Sequence, residues 1–245
     1  MSTTEFDHDQ FDEAYPPGIE RSWWSLARNQ VITRAFARHV HQGKRVLEVG
    51  CGTGIVTSHL RSRGWDVIGA DLGRPAAGVR DPEHVMLGTN ALELPAEMRE
   101  RFTVLGLFDV MEHLADAPAF LSSLLAAFPK AQQVVVTVPA RQELWTSFDD
   151  HYGHFRRYDR AMLRNELSQA GLVADEVGYF FHGVHPAISL NNMIRGRKRN
   201  IRFTAPAPGI ASTMNAAIAA AFVAEAHILP ASWPGSSIIA VAHRA

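Results

Sequence analysis

The sequence predicts an α/β fold built on a doubly wound parallel sheet with helices on both faces. Short apolar runs with the length of strands alternate with segments in which apolar residues recur at helical spacing. A glycine-rich loop follows the first apolar run, and aspartates follow the second and the fourth. This order is typical of right-handed βαβ units, in which ligands bind at the carboxyl ends of the strands.

The elements follow from these patterns in chain order. A helix is predicted over 19–40, where aromatic residues such as Trp23, Trp24 and Phe36 recur near helical spacing, and Gly43 ends it. Pro139 closes the fifth strand, and Gly171 caps the helix before the sixth. The predicted strands are Arg45–Val49, Asp66–Ala70, His84–Leu87, Val104–Phe108, Gln133–Val138, Val173–Phe181 and Ser237–His243. The other predicted helices are Ile55–Arg63, Phe120–Phe128, Asp159–Ala170 and Ile210–Ile228.

Composition and charge exclude several classes of protein. The 245 residues include 24 Lys+Arg and 25 Asp+Glu, so a net charge of −1 provides no global field for nucleic acid. The single cysteine excludes an internal disulfide and every multi-cysteine zinc site. Residues 1–12 are acidic and polar and lack the pattern of a secretory signal. We therefore expect a cytoplasmic protein that binds no nucleic acid.

The most apolar stretch runs from Ile210 to Ala231 and contains Asn215, Glu225 and His227. These polar residues favour a buried or amphipathic helix over a membrane-spanning one, so we expect no stable membrane insertion. A role at a membrane surface stays open.

The most informative segment is the loop Gly50-Cys51-Gly52-Thr53-Gly54, which follows the strand that ends in Glu48-Val49. Glycine at alternate positions lets a ligand approach the backbone, and the helix that opens after it presents free amide groups. Asp71 ends the next strand, where a carboxylate can accept hydrogen bonds from ribose hydroxyls. The combination predicts a nucleoside pocket.

A dinucleotide is the less favoured occupant of that pocket. The G-x-G-x-x-G pattern would place its third glycine at Ile55, whereas the third glycine comes one residue early, at Gly54. Glu48 suits a cationic amino-acid group better than a pyrophosphate. A nicotinamide-dependent oxidoreductase therefore remains an alternative only.

Leu47–Gly54 resembles motif I of the class I S-adenosylmethionine-dependent methyltransferases. The resemblance continues through Asp71, Gly88–Pro95 and Phe108–Leu114. Asp149–Tyr158 and Pro234–Ser237 are similar to one bacterial subgroup, generic small-molecule methyltransferases. The resemblance implies a seven-stranded, mostly parallel sheet whose last strand is antiparallel. It also implies an N-terminal helical cover over 1–42 and a cofactor-binding domain over 43–245, in which 140–210 faces the substrate.

The resemblance also implies that S-adenosyl-L-methionine is the cofactor and assigns roles around it. Glu48 would orient motif I or meet the amino group of the cofactor through water. Asp71 would accept from the ribose hydroxyls, and Asn90 stands where the family usually has an aspartate for the adenine amine. An asparagine oxygen can still accept from that amine. The cofactor-binding residues expected on this basis are Glu48, Gly50, Cys51, Gly52, Gly54, Asp71, Leu72, Asn90, Ala91, Phe108, Asp109 and, covering the cofactor from the N-terminal helix, Arg28.

Histidines are the candidates for a catalytic base, because imidazole accepts a proton near neutral pH. His113 follows the fourth strand, and His151 and His154 follow the fifth, so all three are expected at the carboxyl edge of the sheet. A capping or bracing role is the alternative for His113 and His154.

Arg156, Arg157 and Tyr158 are the candidate substrate-binding residues. The arginines can bind a carboxylate or phosphate of the substrate. The alternative role for them is an ion pair with Asp149, Asp150 or Asp159. Tyr158 has the alternative of a core position.

Two further features have open interpretations. If the pairs His151/His154 and His182/His185 came together in the fold, they would offer four imidazoles to a metal. Because their spacing is not the i,i+4 spacing of helical zinc motifs, we expect no metal. The basic run Arg195–Arg202 is either a solvated loop, a lid over an anionic substrate, or a surface for phospholipid or RNA.

These observations predict a methyltransferase that moves a methyl group to an oxygen or nitrogen of a small-molecule acceptor. A non-catalytic S-adenosylmethionine-binding partner subunit is the alternative outside enzymes. The acceptor and the oligomeric state are not determined by the sequence.

Overall fold

A seven-stranded sheet runs through the part of the chain that the computed structural model describes, which is residues 11, 13–74, 78–199 and 204–245. The end of the basic run, 200–202, lies outside these residues, as does most of 1–12. The strands are β1 (Arg45–Val49), β2 (Asp66–Asp71), β3 (Val85–Leu87), β4 (Val104–Phe108), β5 (Gln133–Pro139), β6 (Leu172–Phe180) and β7 (Ser237–Arg244).

The strand order is β3-β2-β1-β4-β5-β7-β6. The first five strands pair in parallel, and β7 runs antiparallel between β5 and β6. This arrangement confirms the doubly wound sheet with an antiparallel last strand. The order of the strands reverses at β1 and β4, so the loops after these two strands share the crevice where such sheets bind ligands.

All the helices predicted from the sequence are present, and side-chain caps explain where three of them begin. The first helix begins at Trp23, because the side chain of Ser22 caps it by accepting a hydrogen bond from the Ser25 amide. The helix that begins at Ala117 is capped in the same way by Asp116, which accepts from the Ala119 amide. The helices are α1 (Trp23–His39), α2 (Ile55–Arg61), α3 (Ala96–Arg99), α4 (Ala117–Ala127), α5 (Ser147–His151), α6 (Arg160–Gln169), α7 (Val184–Arg195) and α8 (Ile210–Ile228).

Three of these helices, α3, α5 and α7, are not predicted from the sequence. The first two have only four and five residues and carry no periodicity, although α5 begins with a capping box between Thr146 and Asp149. In α7, Pro186 sits in the first turn, where a missing amide is tolerated, so it does not stop the helix.

The helices form a layer on each face of the sheet. On one face, α1 and α2 bury Phe36, Val56 and Leu60 together with residues of β1 and β4. On the other face, α4 and α6 bury residues such as Leu121 and Leu163. Because both faces are covered, the central strands are mainly apolar, with Glu48 of β1 and Thr137 of β5 as buried polar residues within them.

The helix α8 has the predicted bounds, but it is not buried. It packs along α1, where the Trp23 amide donates to Asn215 Oδ1 over 2.9 Å, and Ala219 is its only residue in the core. Met214 is 59% exposed and Ile210 is 82% exposed. Among the described helices, none combines the length and the apolarity needed to cross a bilayer.

Candidate cofactor and acceptor site

The glycine loop between β1 and α2 has a backbone that only glycine adopts easily. Gly52 and Gly54 have φ angles of 57° and 80°. A Cβ on Gly52 would lie 2.4 Å from Tyr15 Cζ, and one on Gly54 would lie 2.9 Å from the Arg80 carbonyl oxygen. A side chain at Gly52 or Gly54 would therefore collide with neighbouring atoms, and an N-terminal tyrosine covers the loop.

Asp71 lies at the end of β2 beside this loop. Its Oδ2 accepts a 2.7 Å hydrogen bond from the Gly52 amide, and its Oδ1 accepts one of 2.7 Å from Gly73. Leu72 follows it, half-buried. The carboxylate is thus held at the rim of the loop, at the position expected of a ribose acceptor.

Glu48 is buried below the loop and ties β1 to α2. Its Oε2 accepts a hydrogen bond from Thr57 Oγ1, and burial raises the pKa of Glu48 to about 7. The neighbouring Cys51 is also buried, and burial, with Glu48 nearby, raises the pKa of its thiol. A Cβ on Gly69 would lie 2.6 Å from Cys51 Sγ, so the thiol fills a narrow space.

Asn90 occupies the loop after β3 and caps the turn Ala91–Glu93. Its Oδ1 accepts from the Leu92 amide over 3.0 Å, and its Nδ2 donates to Glu93 over 3.0 Å. The side-chain oxygen that we expect to meet the adenine amine therefore already has one donor. A carbonyl oxygen can accept a second hydrogen bond.

Arg28 of α1 forms an ion pair with Asp109, which follows β4. The guanidinium also stacks on Trp24, 4.3 Å from the ring centroid, and Thr137 donates to the other Asp109 oxygen over 3.3 Å. Phe108 is buried against Phe36. Arg28 is predicted to cover the cofactor from the N-terminal helix, and the structure pairs its guanidinium with a carboxylate of the protein.

A cavity of about 740 Å³ borders Ile55, the first residue after the glycine loop, and extends beneath α7, whereas the loop 50–54, Asp71 and Asn90 do not line it. Its walls come from the N-terminal segment, from the loops after β4 and β5, and from α7 and α8. Residues from each of these parts are Tyr15, Trp24, Asp109, Glu112, His113, His154, Arg157, Ile188 and Asn215.

His154 lines this cavity and is oriented by a buried carboxylate. Its Nδ1 lies 2.9 Å from Asp149 Oδ1, which also accepts from Arg157 Nε over 2.7 Å. Although burial opposes ionisation, the hydrogen bond from His154 and the charge of Arg157 lower the pKa of Asp149 to about 2. Asp149 is therefore ionised, and the Asp149–His154 pair has the geometry of a carboxylate-oriented base.

His113 and Glu112 complete the polar wall around His154. The rings of His113 and His154 meet edge to face with centroids 4.7 Å apart, and burial lowers the pKa of His113 to about 3. Burial, and next the charge of Asp109, raise the pKa of Glu112, whose Oε2 is buried and has no hydrogen-bond partner among the described residues. His113 is therefore neutral near pH 7, and burial favours the protonated form of Glu112.

These three side chains also form a potential ligand set for a metal. Glu112, His113 and His154 each offer one ligand atom, and these atoms lie within 4.8 Å of one another. Within the described part of the chain, His151, His154, His182 and His185 do not form a four-histidine ligand cluster. His182 Nδ1 instead contacts the Pro234 carbonyl oxygen.

The other predicted site residues lie outside the cavity. His151 pairs with Glu13 at 3.0 Å, and Arg156 binds Glu166 at 2.9 Å and backbone carbonyls. Tyr158 is fully buried, and its hydroxyl contacts the Met111 carbonyl oxygen and Glu166. The structure thus assigns Arg156 and Tyr158 to the packing of the fold, and substrate contact remains a prediction for Arg157 alone.

Sequence reasoning missed Tyr15, Glu112 and Asp149 as site residues. Glu112 stands in the quoted motif and Asp149 beside the candidate arginines, so their positions were visible but their burial was not. Tyr15 carries no signal, because only the folding of the N-terminal segment onto the loop brings it there.

The comparisons with known proteins decide the family. The family model of the methyltransferase domain matches residues 24–177, which is more than half of the chain. The chain belongs to the class I S-adenosylmethionine-dependent methyltransferases. This finding confirms the predicted family, fold and cofactor and does not favour the nicotinamide alternative.

Curated relatives carry the name ubiquinone biosynthesis O-methyltransferase. The one from Pseudomonas fluorescens strain Pf0-1 is 31% identical over 99 residues, which are 38% of this chain and 43% of that protein. The one from Hahella chejuensis is 28% identical over 184 residues, 59% of this chain and 77% of that protein. The match with the first covers less than half of that relative's length.

Solved structures of methyltransferases share the fold. Magnesium protoporphyrin IX methyltransferase from Synechocystis, with bound S-adenosylhomocysteine, has a TM-score of 0.55 and 15% identity over 97% of this chain and 93% of that one. Phosphoethanolamine N-methyltransferase 2 of Haemonchus contortus has a TM-score of 0.58 and 16% identity over 100% of this chain and 60% of that one.

Proposed function

We propose that this methyltransferase transfers a methyl group to an oxygen or nitrogen of a small-molecule acceptor, with His154 as the general base. The observation that supports this proposal most is the Asp149–His154 pair on the wall of the large cavity. The names of the curated relatives support oxygen as the accepting atom, since those proteins are O-methyltransferases. The cytoplasmic location stays a prediction.

The residues of the loop fit S-adenosylmethionine. The three glycines of 50–54 carry no side chains of their own, although the Tyr15 ring covers Gly52. Asp71 offers a carboxylate toward ribose hydroxyls, and Asn90 and Ala91 stand where the adenine amine is expected. Glu48 orients the loop through Thr57. When bound, the cofactor supplies a methyl group on a sulfonium, which is already activated for transfer.

The chain's own contribution is to remove the acceptor's proton and to position the accepting atom. Because Nδ1 of His154 faces Asp149, its Nε2 is the atom left to take the proton from the acceptor. The ionised Asp149 then stabilises the imidazolium that forms.

Neighbouring groups orient the acceptor and exclude water. Burial favours the protonated form of Glu112, and in that form its carboxyl group in the cavity wall can donate a hydrogen bond to an acceptor oxygen. Tyr15 and Trp24 close the N-terminal side of the cavity. We propose on this basis that the segment 1–42 acts as a cover and that 140–210 faces the substrate.

Release of S-adenosylhomocysteine in the presence of candidate hydroxyl and amine acceptors tests the proposal. We expect His154→Ala to abolish release while the affinity for S-adenosylhomocysteine, measured by tryptophan fluorescence, is kept. His151→Ala is the matched control, because this histidine lies outside the cavity. A fully active His154→Ala protein would contradict the assignment of the base, and binding without turnover by any acceptor would favour a non-catalytic subunit.

A further inference from the structure

The wall of the large cavity carries more basic than acidic side chains. Its carboxyl groups are those of Asp109, which is paired with Arg28, and of Glu112, whose burial favours the protonated form. The basic side chains of the wall are those of Arg28, Arg157, Arg195, Lys198 and Arg199. Among the described residues, the carboxyl groups of the wall therefore leave most of its positive charge unbalanced.

The unbalanced charge lies where α7 ends and the basic segment begins. Arg195 is the last residue of α7, and Lys198 and Arg199 follow it within a few residues. Within the described ranges of the chain, none of these three side chains forms an ion pair with a carboxylate. A cluster of cations in a cavity without its own counter-ion favours an anionic ligand.

Arg199 is held at a defined place beside the proposed base. Its backbone amide donates to Ser147 Oγ over 3.0 Å, which attaches it to the start of α5. Its guanidinium carbon lies 4.7 Å from the centroid of the Phe148 ring. The same ring lies 6.2 Å from the ring of His154, so Phe148 connects the cation to the histidine.

Arg157 brings a second guanidinium to this part of the cavity. Its Nε donates to Asp149 over 2.7 Å and its Nη1 to the Ala140 carbonyl oxygen over 3.3 Å, whereas its Nη2 makes no hydrogen bond with the described residues. The carboxylate of Asp149 also faces His154, so it does not balance a further cation.

The two guanidinium groups act on each other. Solvent reaches Arg199, but protein surrounds its guanidinium, and this burial, followed by the charge of Arg157, lowers the pKa of Arg199, while Asp149 opposes the shift. Both arginines stay charged near pH 7, because the ordinary pKa of arginine lies far above it. Two like charges at close range are stabilised by an anion that contacts both.

The position of this cluster favours the acceptor over the cofactor as the source of the anion. The glycine loop 50–54, Asp71 and Asn90 do not line the cavity, so most of its volume lies outside the proposed cofactor site. Between the cations and the base the wall is apolar, with Phe148 and Ile188. A ligand that fills this space therefore needs an apolar body and an anionic end.

We propose that Arg199 and Arg157 bind a carboxylate or phosphate group of the methyl acceptor, with Lys198 and Arg195 adding positive charge. The acceptor is then an amphipathic anion whose apolar body packs against Phe148 and whose accepting atom faces His154. That the ligand is a methyl acceptor rests on the proposed function, whereas the binding of an anion in this cavity does not.

Fluorescence titration with anilinonaphthalene sulfonate, an aromatic anion, tests the site in the full-length protein saturated with S-adenosylhomocysteine. We expect the probe to bind, and Arg199→Gln to weaken its binding at least about tenfold, because a charge-assisted hydrogen bond is lost. Arg197→Gln is the matched control, since Arg197 lies in the same segment but is exposed and does not line the cavity. The affinity for S-adenosylhomocysteine checks that each variant is folded.

Displacement of the probe identifies the anionic group. Benzoate and phenyl phosphate should displace it, and the one that acts at the lower concentration distinguishes a carboxylate from a phosphate site, whereas uncharged benzyl alcohol should not displace it. The proposal would be overturned if the probe did not bind, if Arg197→Gln weakened binding as much as Arg199→Gln, or if benzyl alcohol displaced the probe as well as the anions do.

Competition between the probe and S-adenosylhomocysteine would also overturn the proposal, because the arginines would then belong to the carboxylate of the cofactor. His154→Ala should bind the probe as the wild type does. Since none of these readouts depends on turnover, failure of the anion site is distinguishable from failure of the proposed methyl transfer.

Discussion

The buried carboxylate of Asp149 is predicted to support both the stability of the fold and the reaction. Asp149→Asn keeps the volume of the side chain and one acceptor oxygen but removes the charge that faces His154 and Arg157. Arg157 is then left in a buried position without a counter-charge. The stability of the variant should therefore fall, and its His154 should lose the partner that stabilises the imidazolium.

The size of the effect follows from the lowered pKa. In the folded protein the pKa of Asp149 is lowered from 3.8 to about 2. This difference corresponds to about 2 kcal/mol of folding free energy, at about 1.4 kcal/mol for each pKa unit. Since the folded pKa is the lower one, this stability is fully present above about pH 5. It is lost as the pH falls toward 2, and about half is gone near pH 3.

Urea unfolding of the wild type and of Asp149→Asn at neutral and at acid pH measures this contribution. We expect a difference of about 2 kcal/mol at pH 7 that shrinks by about half near pH 3. Asp150→Asn is the matched control, because Asp150 is exposed and contacts only Trp145 Nε1 through its carboxylate among the described hydrogen bonds. A difference at pH 7 no larger than that of the control, or one that does not change with pH, would refute the reasoning.

Three other predictions concern binding and catalysis. Asp71→Ala should weaken S-adenosylhomocysteine binding at least about tenfold in fluorescence titrations, because the carboxylate is proposed to accept two ribose hydroxyls; an unchanged affinity would remove Asp71 from the cofactor site. Gly52→Ala should also weaken S-adenosylhomocysteine binding, because a Cβ there would lie 2.4 Å from the Tyr15 ring. Recovery of binding in Gly52→Ala/Tyr15→Ala would show that this clash, and not the loss of backbone freedom, causes the effect. Elemental analysis of protein purified without a His-tag should find no stoichiometric metal. If zinc, iron or manganese were present in the wild type and absent from the His113→Ala variant, Glu112, His113 and His154 would be metal ligands and His154 would not be the base.

The strands and most of the helices could be predicted because they depend on local patterns. β1 and β4 have the predicted bounds, since each is a short apolar run that ends at a glycine or an aspartate. The short helix α5 and the proline-containing α7 could not, because their stability comes from capping and from packing over the cavity, which have no periodic signal.

The candidate site divides in the same way. The glycine loop and Asp71 were recognisable because a tight turn and a carboxylate are needed at fixed positions along one βαβ unit. By contrast, Arg156, Arg157 and Tyr158 are adjacent in the chain, yet only Arg157 lines the cavity. Neighbouring residues point in different directions, so the sequence could not say which of them meets a substrate.

The sequence by itself determined the fold class, the cofactor loop and the family, because each depends on residues that are close together in the chain. Only the tertiary structure decided which histidines face the cavity, since the side-chain direction and the partner of each one depend on contacts between distant segments. It also decided that the apolar helix α8 lies at the surface. Hydrophobicity favours burial of a segment, but whether the segment is buried depends on the space that the rest of the core leaves for it.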